Sequence, residues 1–138
     1  MTSYIMAIDQ GTTRAHLVRA ALEGIAYQVK DLMGAFEKVA QIEFRELRVD
    51  GGACKNDFLM QFQADILNCP INRSRYIEST GMGAAFLAGL ATEYWTSSGE
   101  IEKLRQADKI FDPKIGDVGR DRLYQGWLEA VERVKSRE

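Results

Sequence analysis

The sequence predicts a helix-rich α/β fold. Two observations carry that prediction. Apolar residues recur at steps of three and four over long stretches, which is helical spacing, and short β-prone runs end at glycine or polar turns between them. With 138 residues, 46% of them apolar and 28% charged, the chain has the size and composition of one globular domain. Such a domain buries about two-thirds of its unfolded surface, enough for a core without covalent staples.

The elements follow in order. Tyr4 to Ile8 is a short apolar run ending in Asp9-Gln10-Gly11-Thr12-Thr13, expected as a buried strand entering a turn. From Arg14, apolar residues at Val18, Leu22, Ile25, Val29, Leu32, Phe36 and Val39 form one stripe of a long helix ending near Gln41. Leu47 and Val49 flank Arg48 and lead into Asp50-Gly51-Gly52, a strand that stops at a glycine turn. Phe58, Leu59, Phe62 and Ile66 mark a second amphipathic helix, closed by Asn68 and Pro70. Ile71 to Arg75 suits a short strand, with Arg73 and Arg75 turned to solvent. Glu78-Ser79-Thr80 opens a third helix in which Ser79 or Thr80 can cap the free N–H groups. Its Gly83, Ala84, Ala85, Ala88, Gly89 and Ala91 suit a tight contact with the sheet.

Ser98 to Ala107 reads as a short helix whose Glu100, Glu102, Lys103 and Arg105 make a solvated charged face. Phe111-Asp112-Pro113 is extended or a turn, because a residue before proline avoids the helical region. Leu123, Trp127, Val131 and Val134 lie on one face of a last helix. Trp95 and Trp127, both expected on helices, suit packing roles.

Net charge is −2, which argues against a nucleic-acid partner. No apolar run approaches the roughly 18 residues of a membrane span, and no leader pattern stands at the N-terminus, so no membrane role is expected. Two cysteines, Cys54 and Cys69, are too few for a disulfide framework; both suit packing, and a reducing, cytoplasmic setting is expected. The sole histidine, His16, suits a helix-surface or capping position.

Two segments carry chemistry. In Asp9-Gln10-Gly11-Thr12-Thr13 the glycine lets the backbone turn toward a phosphate. The turn amides and the Thr12 and Thr13 hydroxyls can donate to phosphate oxygens, and Asp9 offers oxygen to Mg2+ through water. On pattern alone this segment reads equally as an ordinary polar turn. In Val49-Asp50-Gly51-Gly52-Ala53, a strand runs through a glycine pair into a helix, a natural nucleotide seat. Gly52 leaves room for a base or ribose, and Asn56 projects from the same edge. Taken alone, this segment too reads as a glycine turn needed for its dihedrals.

Positions 49 to 67, VDGGACKNDFLMQFQADIL, resemble the adenosine-binding segment of glycerol kinases, and their second half, FLMQFQADIL, sets those apart from other sugar kinases of the FGGY superfamily. Arg19 to Gln28, Glu78 to Ala91 (with Gly81 and Met82 departing from the usual residues), Phe111-Asp112-Pro113 and Gly126 to Val131 are similar to the family on either side. Tyr4 to Thr13 resembles the family's N-terminal phosphate loop. The resemblance implies a partial actin-like (ribonuclease H-like) ATPase domain with a small, incomplete mixed sheet. Residues 1–13 would be the phosphate-loop segment, and residues 14–138 an incomplete C-terminal nucleotide-binding domain. It implies ATP and Mg2+ as cofactors, with Asp9 on the metal, Thr12 and Thr13 on phosphates, and Gly52 and Asn56 on the adenosine end. Glycerol would be the acceptor in the family's reaction. The aspartate base and the acceptor-binding residues of the family have no counterpart here. The expectation is nucleotide binding at most, with no phosphorylation of glycerol by this chain alone. Helix faces left without their sheet favour self-association.

Overall fold

A computed structural model describes residues 8–76 and 79–135, with the side chain of residue 79 outside the described set. The strand expected at Tyr4–Ile8 lies outside the described residues except for Ile8, which is exposed and outside any strand. In chain order the elements are α1 (Arg14–Ala40), β1 (Leu47–Val49), a 3-10 turn (Gly52–Lys55), α2 (Asp57–Leu67), β2 (Ile71–Ser74), α3 (Ser79–Ala91), α4 (Ser98–Leu104), β3 (Ala107–Phe111) and α5 (Asp117–Val134).

The helix ends follow local chemistry. Thr13 caps α1: its hydroxyl accepts from the His16 amide at 3.4 Å, and His16 Nδ1 accepts from the Thr13 amide at 3.3 Å. The capping place expected for His16 is thus the one it takes. Gln41 and Asn68 end α1 and α2 in the left-handed conformation, with φ of 54° and 57°. Of the two caps expected for α3, the Ser79 side chain lies outside the described set, and Thr80 lies inside the helix.

The sheet is mixed, in the order β1-β2-β3. β1 runs parallel to β2, with Leu47 opposite Ile71, and β3 runs antiparallel to β2, with Phe111 opposite Ile71. β3 corrects the sequence reading, which takes the helix on to Ala107 and puts no strand before Phe111-Asp112-Pro113, an extended stretch or a turn. The helix stops at Leu104, and Arg105 turns out of it so that its guanidinium donates to both the Oδ1 and the carbonyl of Asn72 on β2.

α2 is the centre of the molecule. It packs on the sheet, and α1 and α5 pack against it. Leu59, Met60, Phe62, Ala64 and Ile66 are buried with Ala26 and Tyr27 of α1, Cys54, Cys69, Ile71 and Phe111. Tyr27 joins the helices: its ring meets Phe62 edge-on at 5.4 Å and stacks on Trp127 at 5.3 Å. Asp31 fixes that stack, accepting from Tyr124 Oη at 2.5 Å and Trp127 Nε1 at 2.9 Å. Arg120, buried on α5, donates to the Asp65 carbonyl and to Asn68 Oδ1, locking α5 to the end of α2. Every buried side-chain nitrogen and oxygen among the described residues has a partner.

The α1 stripe forms as a helix face, but most of it is left uncovered. Leu22 and Val29 are half-buried, but Val18, Ile25, Leu32, Phe36 and Val39 are exposed, and the residues that reach the core are Ala26 and Tyr27. The second correction is α3. Its alanines at 84, 85, 88 and 91 are exposed, and its close contact is with Trp95, which lies in the turn after the helix rather than on one. Trp95 folds back so that its amide and that of Tyr94 donate to the Gly89 carbonyl.

Candidate functional site

The candidate adenosine turn is built where β1 ends. Gly51 has φ of +85°, a conformation that favours glycine, and it turns the chain from β1 into the 3-10 turn. The turn is closed by the Cys54 amide on the Gly51 carbonyl and the Asn56 amide on the Ala53 carbonyl, each at 3.2 Å. Cys54 points inward. Its thiol donates to the Gly51 carbonyl at 2.8 Å, and burial pushes its pKa up, against the pull of Arg73. The expected packing role is the one seen.

Gly52 and Asn56 face outward from this turn. Gly52 is exposed, and a side chain built on it meets nothing within 4 Å, so nothing inside the molecule demands a glycine there. Open backbone at that position suits a flat ligand lying against it. Asn56 caps α2 with its Oδ1, which accepts from the Leu59 amide at 3.0 Å. Its Nδ2 makes no hydrogen bond among the described residues and is available to donate outward. An open backbone and one free amide donor at the turn are compatible with a flat, hydrogen-bonding ligand.

Beside the turn, Val49 and Asp50 form one wall of an open hollow of about 320 Å³, completed by Tyr76, Met82, Phe86, Ile101 and Leu104. The sequence reading does not find it, because its walls come from four separated segments that only the fold brings together.

Arg73 is the third element of the site. The expectation of a solvent-facing arginine is corrected: its side chain is 12% exposed and pairs with Asp57 and Asp108, each at 2.7 Å. Lys109 also holds Asp57 at 2.7 Å, and hydrogen bonds from Lys109 and then Arg73 hold the Asp57 carboxyl below its ordinary range. The cluster draws β2, β3 and the start of α2 together.

Asp9, Thr12 and Thr13 are placed differently. Asp9 Oδ1 accepts from the Gly11 amide and from Thr12 Oγ1, each at 2.9 Å, and Thr12 Oγ1 accepts from the Asp9 amide at 3.0 Å. Thr13 is spent on capping α1. The bonds of Asp9, Thr12 and Thr13 stay within this turn and the first turn of α1, and none reaches Gly51–Asn56. Among the described residues there is no group of three or more His, Cys, Asp or Glu side chains suited to a metal, so Mg2+ at Asp9 would rely on water and ligand oxygens.

Known proteins share this architecture. The chain is 55% identical over 130 residues to a glycerol kinase of Thermococcus kodakarensis and 53% identical over 129 residues to glycerol kinase 2 of Thermotoga maritima. Each match covers 94% of this chain and 26% of the relative, so the chain spans about a quarter of the relatives' length. A crystal structure of Plasmodium falciparum glycerol kinase with ADP superposes with a TM-score of 0.84 at 39% identity, over 98% of this chain and 27% of that one. A gluconate kinase of Lactobacillus acidophilus matches at a TM-score of 0.71 and 28% identity, over 91% of this chain and 26% of that one. The helix-rich chain with its small mixed sheet thus has the actin-like ATPase fold of the sugar kinases. The model of the FGGY family of carbohydrate kinases, C-terminal domain, matches residues 1–92, running across the Thr13–Arg14 point where the sequence reading sets a boundary. With that match covering most of the chain, and the glycine turn, α2 and the sheet all present in its fold, the chain belongs to the FGGY family of carbohydrate kinases.

Proposed function

We propose that the chain is the adenosine-holding part of an ATP-dependent glycerol kinase, and that by itself it binds ATP or ADP without phosphorylating glycerol. The observation that carries this reading is the turn Gly51–Asn56, with open backbone at Gly52 beside an outward-facing Asn56 amide. The glycerol kinase relatives, and the ADP named in the Plasmodium structure, support adenine nucleotide as the ligand. Phosphoryl transfer needs a positioned acceptor and a base beside its hydroxyl. We assign those groups to the part of the relatives' length that this chain does not span.

Titration calorimetry with adenosine, ADP and ATP tests the reading. Binding of all three is expected, and heat indistinguishable from dilution would sink it. A coupled assay for glycerol 3-phosphate is expected to stay at background, and nucleotide-dependent product would overturn the second half of the proposal.

The phosphate-side assignment, with Thr12 and Thr13 on phosphates and Asp9 on Mg2+, is the further part of this reading. It requires the local bonds of these residues to open. Their bonding, together with a C-terminal-domain match that starts at residue 1, favours the role of an N-terminal cap on α1 over a separate loop at residues 1–13. Asp9→Ala decides: loss of Mg2+-dependent tightening of ATP supports the phosphate side, and unchanged tightening removes it. The two free, buried cysteines support a cytoplasmic setting for the kinase. No helix among the described residues is long and apolar enough to cross a membrane.

A further inference from the structure

Arg73 starts from the middle strand of the sheet and ends at the candidate adenosine turn. Its Nη1 donates to the Cys54 carbonyl at 3.0 Å and to Asp57 Oδ1 at 2.7 Å. Its Nε donates to Asp108 Oδ2 at 2.7 Å, and the guanidinium lies over the Phe111 ring at 5.3 Å. Cys54 lies between Gly52 and Asn56, and Asp57 follows Asn56, so the Nη1 contacts fall within and directly beside the segment that carries both candidate contact residues. Among the described residues, no other side chain from outside the turn hydrogen-bonds its backbone. Lys109 shares Asp57 but does not reach the turn.

A 3-10 turn of four residues has poor internal hydrogen-bond geometry and little stability of its own. Gly51 and Gly52 add backbone freedom that must be removed before a ligand can lie against them. A planar guanidinium held on three sides is suited to removing it: the ring of Phe111 and the Asp108 carboxylate fix its plane, and Nη1 holds the Cys54 carbonyl of the turn and the Asp57 carboxylate beside it. We propose that Arg73 is a positioning residue for nucleotide binding, one that preorganises the Gly51–Asn56 turn from the central strand without touching the ligand. The inference rests on the adenosine reading of that turn for its ligand and on the Arg73 geometry for its mechanism.

The test uses the full chain and two readouts. Amide hydrogen exchange reports the turn itself, through the Cys54 and Asn56 amides. Calorimetry with adenosine and with ADP reports the ligand. In Arg73→Gln, exchange at those two amides is expected to rise about tenfold, as loss of a charge-assisted bond implies, while amides in α1 and α5 keep their rates. Affinity for adenosine and for ADP is expected to fall by a common factor of about ten, since the clamp acts on the adenosine end. Arg73→Lys keeps the charge but cannot span the three partners, so it is expected to behave alike; it also carries the test if the glutamine variant does not fold.

Unchanged exchange at the turn overturns the inference. So does a rise spread evenly over α1 and α5, which would make Arg73 a general staple, or a larger loss for ADP than for adenosine, which would make it a phosphate contact. If the unaltered chain binds neither ligand, the adenosine reading fails, and the exchange data still decide whether Arg73 orders the turn.

Discussion

Asn56 caps α2 with its side-chain oxygen and leaves the nitrogen of the same amide facing out. The two duties come apart by substitution. Asn56→Asp keeps an acceptor for the Leu59 amide and adds charge that suits a helix N-terminus, but it removes the donor. We expect the melting temperature to hold while adenosine affinity falls about tenfold, the worth of one donor to a bound polar atom. Adenosine is the right ligand because it carries no phosphate to be repelled. Asn56→Ala is expected to lose binding and about 1 kcal/mol of stability. Full adenosine affinity in Asn56→Asp would remove Asn56 from the site. The cysteines give a second prediction at this scale. Burial raises the pKa of both Cys54 and Cys69, so each holds its proton further into alkaline pH, and the thiolate is the reactive form. Neither is expected to react with Ellman's reagent in the native chain at mildly alkaline pH, and both are expected to react in denaturant. Prompt native labelling would contradict the packing of Cys54 beneath the turn. Asn56 and Gly52 were legible as residues because a glycine pair followed by a helix start is a local pattern. Arg73 was not, because strand alternation gives the face of a side chain and says nothing of carboxylates that fold against that face.

At the scale of elements, the helices were legible and the edge strand was not. α2 reads clearly because Leu59, Phe62 and Ile66 are spaced for one face and all are buried. β3 carries Ala107, Asp108, Lys109 and Ile110 exposed and only Phe111 buried, so its pattern has no alternation to read. Its pairing is made by backbone bonds to β2 and by charges that cross strands. One of those charges supplies a pH prediction. Hydrogen bonds from Lys109 and Arg73 depress the Asp57 pKa below the ordinary 3.8. A depressed carboxylate contributes stability above its unfolded pKa and loses it as pH falls through the folded one. The acid limb of thermal stability should therefore be shallower in Asp57→Asn than in the unaltered chain, and parallel limbs would show that the pairs are solvated away. α3 gives the next prediction. A methyl group at Gly89 would sit 2.2 Å from ring atoms of Trp95, so the ring must leave. Gly89→Ala raises helix propensity, yet we expect a net loss of about 1–3 kcal/mol, the usual cost of overpacking. Tryptophan fluorescence should move to longer wavelength as the Phe86–Trp95 contact opens. A more stable variant with unchanged fluorescence would show that Trp95 does not pack on α3.

At the scale of the whole molecule, the core gathers around α2 and leaves much of α1 uncovered. The stripe on α1 is legible in the sequence as a pattern, since periodicity reports a greasy face, but it does not say what covers that face. Val18, Ile25, Leu32 and Val39 lie seven residues apart and are 60%, 46%, 56% and 86% exposed, with Phe36 beside them at 54%. A seven-residue repeat of apolar side chains is the spacing by which two helices pair, and an uncovered apolar face of this length is a driving force for association. We expect the chain to self-associate through α1, with light scattering giving a mass above that of one chain and rising with concentration. Leu32→Glu combined with Phe36→Glu places two charges on that face where neither side chain supports the core. The double variant should scatter as a monomer while its far-ultraviolet circular dichroism and its nucleotide binding stay those of the parent. A parent that is monomeric at every concentration would end the proposal. A double variant that still associates would move the contact off α1, to other exposed apolar side chains such as Leu87 and Tyr94 around α3.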